Sequence, residues 1–189
     1  VIKGGKDHVV IGCDIEHVGD SGVLMDGGDA PSLTPSGHVV ENCHIHHFDR
    51  WNRSGYKAGI CQDGVATRIS HCLIHDAPHQ AIKVTGNDHI LEYSEIHDTC
   101  HEAGEMGSYY MYGSKRVLGE RGQLVRYNYW HDLSWDETYK SFAYAGRHAL
   151  HVDHMNGDIT LFGNVFERCT NKSGVFFSGG PDNTVQNNL

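Results

Sequence analysis

The chain has 189 residues, among them 23 glycines and only four prolines, and its formal net charge is -9. This length suffices for one domain with a real core, and the glycine content predicts many tight turns between short strands. The charges form no basic stripe and no apolar run is long enough to cross a bilayer, so nucleic-acid binding and membrane insertion are not expected.

Seven segments of the chain share one pattern of side chains. Each begins with Val, Ile or Leu, has Cys, Ser or Asn at position four, and most have Ile, Trp or Phe at position six. The segments begin at Val10, Val40, Ile69, Leu91, Val125, Leu161 and Val185. The shortest step, from Ile69 to Leu91, is 22 residues and the longest, from Val125 to Leu161, is 36. Steps of this size are typical of successive turns of a solenoid with loops of variable length.

Position one has the opposite strand parity to positions four and six, so a corner must lie between them. The corner positions include Gly12, Asn42, Gly163 and Asn187, and these residue types tolerate a left-handed backbone. Stacked coils would bring the position-four residues into an internal ladder about 4.8 Å apart. The ladder is Cys13, Cys43, Cys72, Ser94, Asn128, Asn164 and Asn188. We interpret its cysteines as small buried core residues rather than disulfide partners.

A second strand follows in six of the repeats, with inward side chains at positions one and three and outward ones at positions two and four. These strands begin at Val23, Ile60, Ile82, Tyr109, Leu150 and Val175. The two alignments predict an all-β fold, a right-handed parallel β-helix of about seven coils. Because both ends fall within the strand pattern, we expect residues 1–189 to be one β-helix segment that continues beyond both ends of the sequence.

The middle coils should carry five polar or aromatic side chains together on the outer face of the second strands. We call this set the outward patch; it consists of Lys83, Tyr110, Tyr112, His151 and Asp153. Aromatic rings stack on the apolar face of a sugar, while charged and polar groups bind its hydroxyls. The patch therefore predicts a polysaccharide as the partner.

One loop adds a second carboxylate to this face. Glu105 comes shortly before the Tyr110 strand, and we expect it one coil below Asp153 at the edge of the outward patch. Two carboxylates that flank a groove can hydrolyse a glycosidic bond. A separation of about 5 Å predicts retention and one of roughly 6.5 to 9.5 Å predicts inversion, and the sequence does not choose between them.

Other motifs have simpler interpretations. His75, His97 and His131 recur at one repeat position, which favours a structural stack over metal ligands. His44 and His46, or His151 with Asp153 and His154, could contact a metal, but neither group offers a full coordination set, so no metal is expected. Asn52 and Asn171 begin glycosylation sequons, which fit a secreted protein.

The segments RISHCLIHDAPHQAI, GNDHILEYSEIHDTCHEAGEMGSYYM, LVRYNYWHDL and ITLFGNVFERC resemble the secreted right-handed β-helix repeat proteins. Within that group the sequence is most similar to the glycoside hydrolase family 141-like branch. The resemblance implies an extracellular enzyme of α-L-fucosidase or xylanase type that acts on plant or algal cell-wall glycans. The acidic positions of the family fall on Glu105, where Asp is usual, and on Asp153. The extra methylene of Glu105 displaces its carboxylate, and a displacement of about 1 Å can cost on the order of 10²-fold in rate.

Three functions stay open at this point. A glycoside hydrolase would use Glu105 and Asp153 as its catalytic pair, with the rest of the outward patch positioning the sugar and no cofactor. A polysaccharide lyase would use Lys83, Tyr110 or His151 as its base. It would neutralise the uronate with Arg147 or calcium. A glycan-binding or structural solenoid would do neither. The sequence predicts no particular sugar, disulfide pattern or oligomeric state.

Overall fold

The computed structural model describes residues 1–53, 57–102, 104–112, 120–133, 146–169 and 173–189. Within these ranges the chain forms twenty β-strands and no helix, so the described part of the chain contains no membrane-spanning helix. The strands are β1 (Ile2–Lys3), β2 (Val9–Ile11), β3 (Asp14–Glu16), β4 (Val23–Asp26), β5 (Val39–Glu41), β6 (His44–His46), β7 (Ala58–Gln62), β8 (Arg68–Ser70), β9 (Leu73–His75), β10 (Gln80–Val84), β11 (Ile90–Glu92), β12 (Glu95–His97), β13 (Met106–Met111), β14 (Leu124–Arg126), β15 (Tyr129–Leu133), β16 (Arg147–Val152), β17 (Thr160–Phe162), β18 (Val165–Cys169), β19 (Ser173–Phe177) and β20 (Thr184–Gln186).

The strands form three parallel sheets that the chain visits in turn. Sheet A has the order β1-β4-β7-β10-β13-β16-β19, sheet B the order β2-β5-β8-β11-β14-β17-β20, and sheet C the order β3-β6-β9-β12-β15-β18. Each circuit through A, B and C is one coil, and the next coil pairs with it one strand-spacing away. The predicted parallel β-helix is confirmed.

The predicted register is confirmed in both aligned sets of strands. In sheet B, Val40 pairs with Val10 on one side and with Ile69 on the other. In sheet A, Ile82 pairs with Ile60 and with Tyr109. The outward side chains that the alignment brings together are therefore true neighbours on adjacent coils.

The corner between sheets B and C has a left-handed backbone in all seven coils. Gly and Asn hold it in four of them, as predicted, but His71, Tyr93 and Tyr127 adopt it in the middle coils with φ of 52°, 52° and 57°. A positive φ is uncommon for bulky residues. Here the rings of these three residues stack on one another with centroids 5.2 Å apart, so the corner lines up equivalent rings outside the core.

The internal ladder satisfies backbone groups that would otherwise be buried without partners. Asn164 Oδ1 accepts hydrogen bonds from the backbone N–H and the side-chain amide of Asn128, at 3.1 and 3.0 Å, and Asn164 Nδ2 donates to the carbonyl of Val125 at 2.9 Å. All six cysteines are free, and Cys43 and Cys72 are buried as predicted. The expectation was wrong for Cys13, which is exposed because it lies between β2 and β3, the edge strands of their sheets.

The core runs along the axis of the solenoid. Position six contributes a column that includes Ile45, Ile74, Ile96 and Trp130, all of them fully buried. The Trp130 ring lies parallel to that of Phe166, with centroids 6.4 Å apart. Each coil therefore buries one large side chain against the coil on either side.

Histidine rings stack along the outer face of sheet C. We call His46, His75, His97 and His131 the histidine column; their successive ring centroids are 5.1, 4.6 and 4.7 Å apart. The predicted stack is thus present in the structure.

Candidate functional site

Three neighbouring strands of sheet A position the outward patch. Lys83 on β10, Tyr110 on β13 and His151 on β16 lie side by side in register. Tyr112 follows β13 and Asp153 follows β16, and the backbone N–H of Asp153 donates to the carbonyl of Met111 at 3.0 Å. The five side chains therefore meet where these strands end.

Two members of the patch are covered rather than exposed. Tyr110 is 3% exposed and His151 is 2% exposed, so the prediction that both face solvent is wrong. The reason is mutual packing of rings, since the His151 ring lies 5.0 Å from that of Tyr110 and 4.9 Å from that of Phe176. Neither side chain presents a surface on which a sugar can stack in this conformation.

Asp153 is the carboxylate at the centre of the patch. Its Oδ2 accepts a hydrogen bond from the Tyr110 hydroxyl at 2.8 Å, and its Oδ1 accepts one from the Ser178 hydroxyl at 2.6 Å and one from the backbone N–H of His154 at 2.7 Å. The side chain keeps 18% of its surface exposed. It is thus held in one orientation while one side remains open.

These donors keep Asp153 ionised. Burial alone would raise the pKa of its carboxyl, but the hydrogen bonds from Ser178, Tyr110 and the His154 backbone, with the nearby His151 ring, lower the pKa below its ordinary value. A carboxylate of this kind suits the role of base, nucleophile or charge stabiliser better than that of general acid.

His151 lies behind Asp153 as a neutral imidazole. Burial lowers its pKa to about 4, although the charge of Asp153 acts in the opposite direction. Its Nε2 is 3.8 Å from Asp153 Oδ1, and within the described ranges neither ring nitrogen has a hydrogen-bond partner. A buried imidazole N–H without an acceptor can still donate a hydrogen bond, and Asp153 Oδ1 lies close enough for a small movement to form one.

Glu105 does not lie beside Asp153, and this corrects the expected carboxylate pair. Strands β13 and β16 pair in register from Met106 with Arg147 to Met111 with Val152. Glu105 precedes the first of these pairs and Asp153 follows the last, so the two acids lie at opposite ends of the strand pair. Six residues of extended strand cover roughly 20 Å, far more than the separation in a hydrolytic pair.

Arg147 lies at the same distant end. It is the first residue of β16 and only 3% exposed, whereas the patch is at the other end of that strand. The structure therefore does not bring it to Asp153 as a group that could neutralise a bound uronate.

Lys83 and Tyr112 form the remaining borders of the patch. Lys83 Nζ is 3.5 Å from Asp63 Oδ1, and Asp63 also accepts a hydrogen bond from the Thr85 hydroxyl. The ring of Tyr112 lies 5.5 Å from that of His154, whose side chain is 51% exposed. The open border of the site is therefore the one formed by Tyr112 and His154.

Asp49, in the turn after β6, is a buried acid that the sequence did not indicate. It is fully buried, and neither carboxyl oxygen has a hydrogen-bond partner within the described ranges. Burial, together with the charge of Asp20, raises the pKa of Asp49 to about 7, although Lys57 acts in the opposite direction. Nothing in its local sequence distinguishes it from an exposed turn aspartate, because its burial results from the packing of neighbouring coils.

Replacing Asp49 by Asn should remove a pH dependence of stability. The folded-state pKa of about 7 exceeds the ordinary value of 3.8, so the folded protein binds the Asp49 proton more tightly than the unfolded chain does. This contribution to the free energy of unfolding is complete below about pH 4 and is lost as the pH rises through 7. Each pKa unit corresponds to about 1.4 kcal/mol. Urea unfolding at pH 5 and pH 8 should show a smaller difference for Asp49→Asn than for the wild type. The exposed control Asp158→Asn should retain the full difference, and an equal difference in all three proteins would contradict the assignment.

The two glycosylation sequons differ in what the structure describes. Asn52 is partly exposed in the turn before β7, and its backbone N–H donates to the carbonyl of Gly19 at 3.3 Å. Asn171 lies outside the described residues.

Comparisons with known proteins agree with this architecture. Residues 1–189 match the model of a family described as a right handed beta helix region. A solved structure described as a glycoside hydrolase superposes with a TM-score of 0.71 at 16% sequence identity, covering 98% of this chain. The match covers 32% of that chain, so the sequence spans about a third of the solved protein. No curated protein matches the sequence. At this identity the likeness to the solved structure concerns the fold alone.

Proposed function

The chain belongs to the right-handed β-helix family. We propose that it is part of a glycoside hydrolase that acts on cell-wall glycans, and that it carries one of the catalytic carboxylates. The observation that carries the proposal is the state of Asp153, which is ionised, held by three donors and open to solvent on one side. The fold shared with a glycoside hydrolase, at a TM-score of 0.71, supports it.

In the proposed site the substrate would contact the open border formed by Tyr112 and His154. The buried side chains around Asp153 hold that carboxylate in place. Tyr112 and the more distant Lys83 would contact sugar hydroxyls and ring faces. Tyr110 and His151 are positioning residues, because they are covered and act through Asp153. Asp153 would serve either as nucleophile at the anomeric carbon or as the base that activates the attacking water. No cofactor is required for this chemistry.

The proton donor of such a hydrolase is not Glu105 in this arrangement. A general acid must lie within hydrogen-bond reach of the leaving oxygen, directly or through one water. Glu105 is exposed at the far end of the strand pair and cannot reach a bond that Asp153 attacks. A second acid from elsewhere in the protein must supply the proton.

A polysaccharide lyase is the second candidate, and the hydrogen bond of 2.8 Å between Tyr110 and Asp153 favours it. In such an enzyme Tyr110 would pass its phenol proton to Asp153 and remove the proton beside the uronate. The C–O bond would then break, and the leaving oxygen would take a proton from Tyr110, so no second acid is needed. Such an enzyme would need a cation on the uronate, for which calcium is the candidate. It ranks second because Tyr110 is only 3% exposed and would have to be uncovered first.

The Asp153→Asn substitution tests the proposal. In the full-length protein, incubated with fucosylated, xylan and uronate-rich glycans, this change should lower cleavage on the order of 10²-fold or more, because the carboxylate acts in the transition state. Cleavage is followed both by new reducing ends and by the ultraviolet absorbance of unsaturated products. The matched control Glu105→Gln removes the charge at the far end of the strand pair and should leave the rate nearly unchanged.

The outcomes separate the hypotheses. Reducing ends without absorbance, lost in Asp153→Asn alone, support the hydrolase. Absorbing products assign a lyase instead. Equal losses in both variants would support Glu105 and Asp153 as a catalytic pair and would contradict their placement at opposite ends of the strand pair. Binding without any product would leave a glycan-binding or structural solenoid.

The same proposal places the protein outside the cell, with a polysaccharide and not a nucleic acid as its partner. The two sequons support this, and Asn52 is partly exposed. Mass spectrometry of peptides from a secreting eukaryotic host, before and after enzymatic removal of N-glycans, tests Asn52 and Asn171 directly.

A further inference from the structure

The outer face of sheet C gathers metal-ligating side chains that the proposed function does not use. One ligand atom from each of Glu95, His97 and His131 lies within 4.8 Å of the others, and the same holds for Asp14, His44 and His46. Both groups lie along the histidine column, on a different sheet from Asp153. The two groups differ in how well their ligand atoms are arranged to hold an ion.

The fold itself assembles the Glu95 group. Glu95 and His97 lie two residues apart on β12, so their side chains point to the same face. His131 on β15 pairs with His97 in the next coil, and its Nε2 is 3.0 Å from Glu95 Oε1. The three ligands therefore come from two rigid, hydrogen-bonded strands rather than from loops.

Two further carboxylates determine which ring nitrogen is available in this group. Asp98 Oδ2 lies 2.8 Å from His97 Nδ1, and Asp132 Oδ2 lies 2.8 Å from His131 Nδ1. A carboxylate at this position fixes the proton on Nδ1 and leaves the lone pair of Nε2 for a ligand, which is the usual outer-shell arrangement of metal-bound histidines. Arg168 in turn holds Asp132 through two hydrogen bonds of 2.5 and 2.8 Å.

This tautomer leaves two acceptors facing each other. With its proton on Nδ1, His131 directs the Nε2 lone pair at the Glu95 carboxylate across 3.0 Å. Either a proton on Nε2 or a metal ion can bridge this contact.

The donor set points to zinc. Two imidazole nitrogens and one carboxylate oxygen form the three-ligand set that zinc accepts in sites with an open position. Ligand atoms at zinc bond lengths of about 2.0 to 2.1 Å lie roughly 3.3 Å apart in a tetrahedral site. The pair of Glu95 and His131 is already near that distance. The remaining ligand atoms lie within 4.8 Å of one another, so closing the set shortens these separations by up to about 1.5 Å.

The Asp14 group is less well organised. His46 Nδ1 faces His47 Nδ1 at 2.7 Å, and the Asp14 carboxylate lies on its other side, 3.5 Å from Nε2, so no carboxylate holds a proton on Nδ1. The Asp14 side chain is 65% exposed, and β3 is the edge strand of its sheet. This group therefore serves as an internal comparison of similar composition.

We propose that Glu95, His97 and His131 form a zinc site on the outer face of sheet C, with Asp98 and Asp132 as its outer shell. The ion would connect two successive coils and keep an open position for water or a further ligand. The site is separate from Asp153, and its test uses no glycan, so either proposal can fail without the other.

Zinc titration of the metal-depleted full-length protein against a chromophoric chelator tests the site. Asp98→Asn should weaken zinc binding about 10- to 100-fold, because it replaces the outer-shell carboxylate by a neutral amide. His97→Ala and Glu95→Gln should each weaken it more, because each removes a ligand. The matched control Asp14→Asn should bind as the wild type does. Cobalt substitution should give the visible absorption of a low-symmetry site, which is lost in Glu95→Gln.

Three results would overturn the proposal. These are no zinc binding up to millimolar concentration, unchanged binding in Glu95→Gln and His97→Ala, or a loss confined to Asp14→Asn. Thermal unfolding of each variant without metal controls for misfolding, and the isosteric Glu95→Gln keeps the test valid if His97→Ala fails to fold. Zinc should also raise the Tm of the wild type and not that of Glu95→Gln, since a ligand that binds only the folded state stabilises it.

Discussion

Replacing Asn164 by leucine should lower the free energy of unfolding by about 2 to 6 kcal/mol, the cost of leaving two buried backbone groups without partners. Asn164 accepts from the backbone N–H of Asn128 and donates to the carbonyl of Val125, and its side chain is fully buried. Leucine can form neither bond. Urea unfolding followed by circular dichroism measures the loss.

Asn164→Ser is the matched control, because the chain itself uses serine at this position in another coil. Ser94 accepts from the backbone N–H of Cys72 at 3.1 Å, so a hydroxyl can satisfy the donor of the preceding coil. The serine variant should lose less stability than the leucine variant. Equal losses would mean that side-chain volume, and not the hydrogen bonds, accounts for the effect.

Truncating Trp130 to alanine should cost about 3 to 5 kcal/mol, the range for removing a large aromatic side chain from a core. Trp130 is fully buried and heads the group of large core side chains. Its loss leaves a void between the coils of Ile96 and Phe166, with which it is in register. Thermal and urea unfolding of the purified variant measure the change.

Trp130→Phe tests whether a smaller aromatic ring can fill this position. The indole N–H has no hydrogen-bond partner within the described ranges, so removing it sacrifices no bond. Phenylalanine already fills the equivalent position at Phe166. We expect a smaller loss than for alanine, because phenylalanine keeps an aromatic ring in the core and leaves a smaller cavity. A loss as large as that of alanine would indicate that the indole has a role beyond filling space.

The fold could be predicted because the repeat constrains it many times over. Each coil offers the same apolar, polar and turn positions, so one correct alignment gives the register of all the others. The corners were predictable where Gly or Asn stands and not at His71, Tyr93 and Tyr127. There the ring stack outweighs the local backbone preference, and a stack is visible only once the coils are superposed.

The candidate site was predictable in its position and not in its exposure. Alternation along a strand tells which side chains leave the core, but it does not tell what covers them afterwards. Tyr110 and His151 point outward and are nevertheless buried, since neighbouring rings pack over them. The position of Glu105 was mispredicted for another reason. Two residues on adjacent coils are close only if they also lie at the same position along their strands. The offset of 41 residues between Tyr110 and His151 already sets Glu105 opposite Gly146 and not opposite Asp153.

The proposed zinc site was predictable from the sequence only in part. Histidine followed by aspartate recurs at His75, His97 and His131, and the column of rings was predictable from that recurrence. The aspartates bend back to the preceding imidazoles because their own backbone is left-handed, with φ of 53°, 44° and 46° at Asp76, Asp98 and Asp132. Only that turn makes them outer-shell partners.

The constant pairing of each coil with the next has a consequence for how the chain reaches this structure. Strand partners are separated by 22 residues from Ile69 to Leu91 and by 41 from Tyr110 to His151. The entropy of closing a loop grows only logarithmically, so near-doubling its length costs about 0.6 kcal/mol. Winding one more turn onto a finished one is therefore almost as easy with a long insertion as without it. Loops beside the Asp153 edge can lengthen over evolutionary time, and reshape the surface around this carboxylate, with little penalty to assembly.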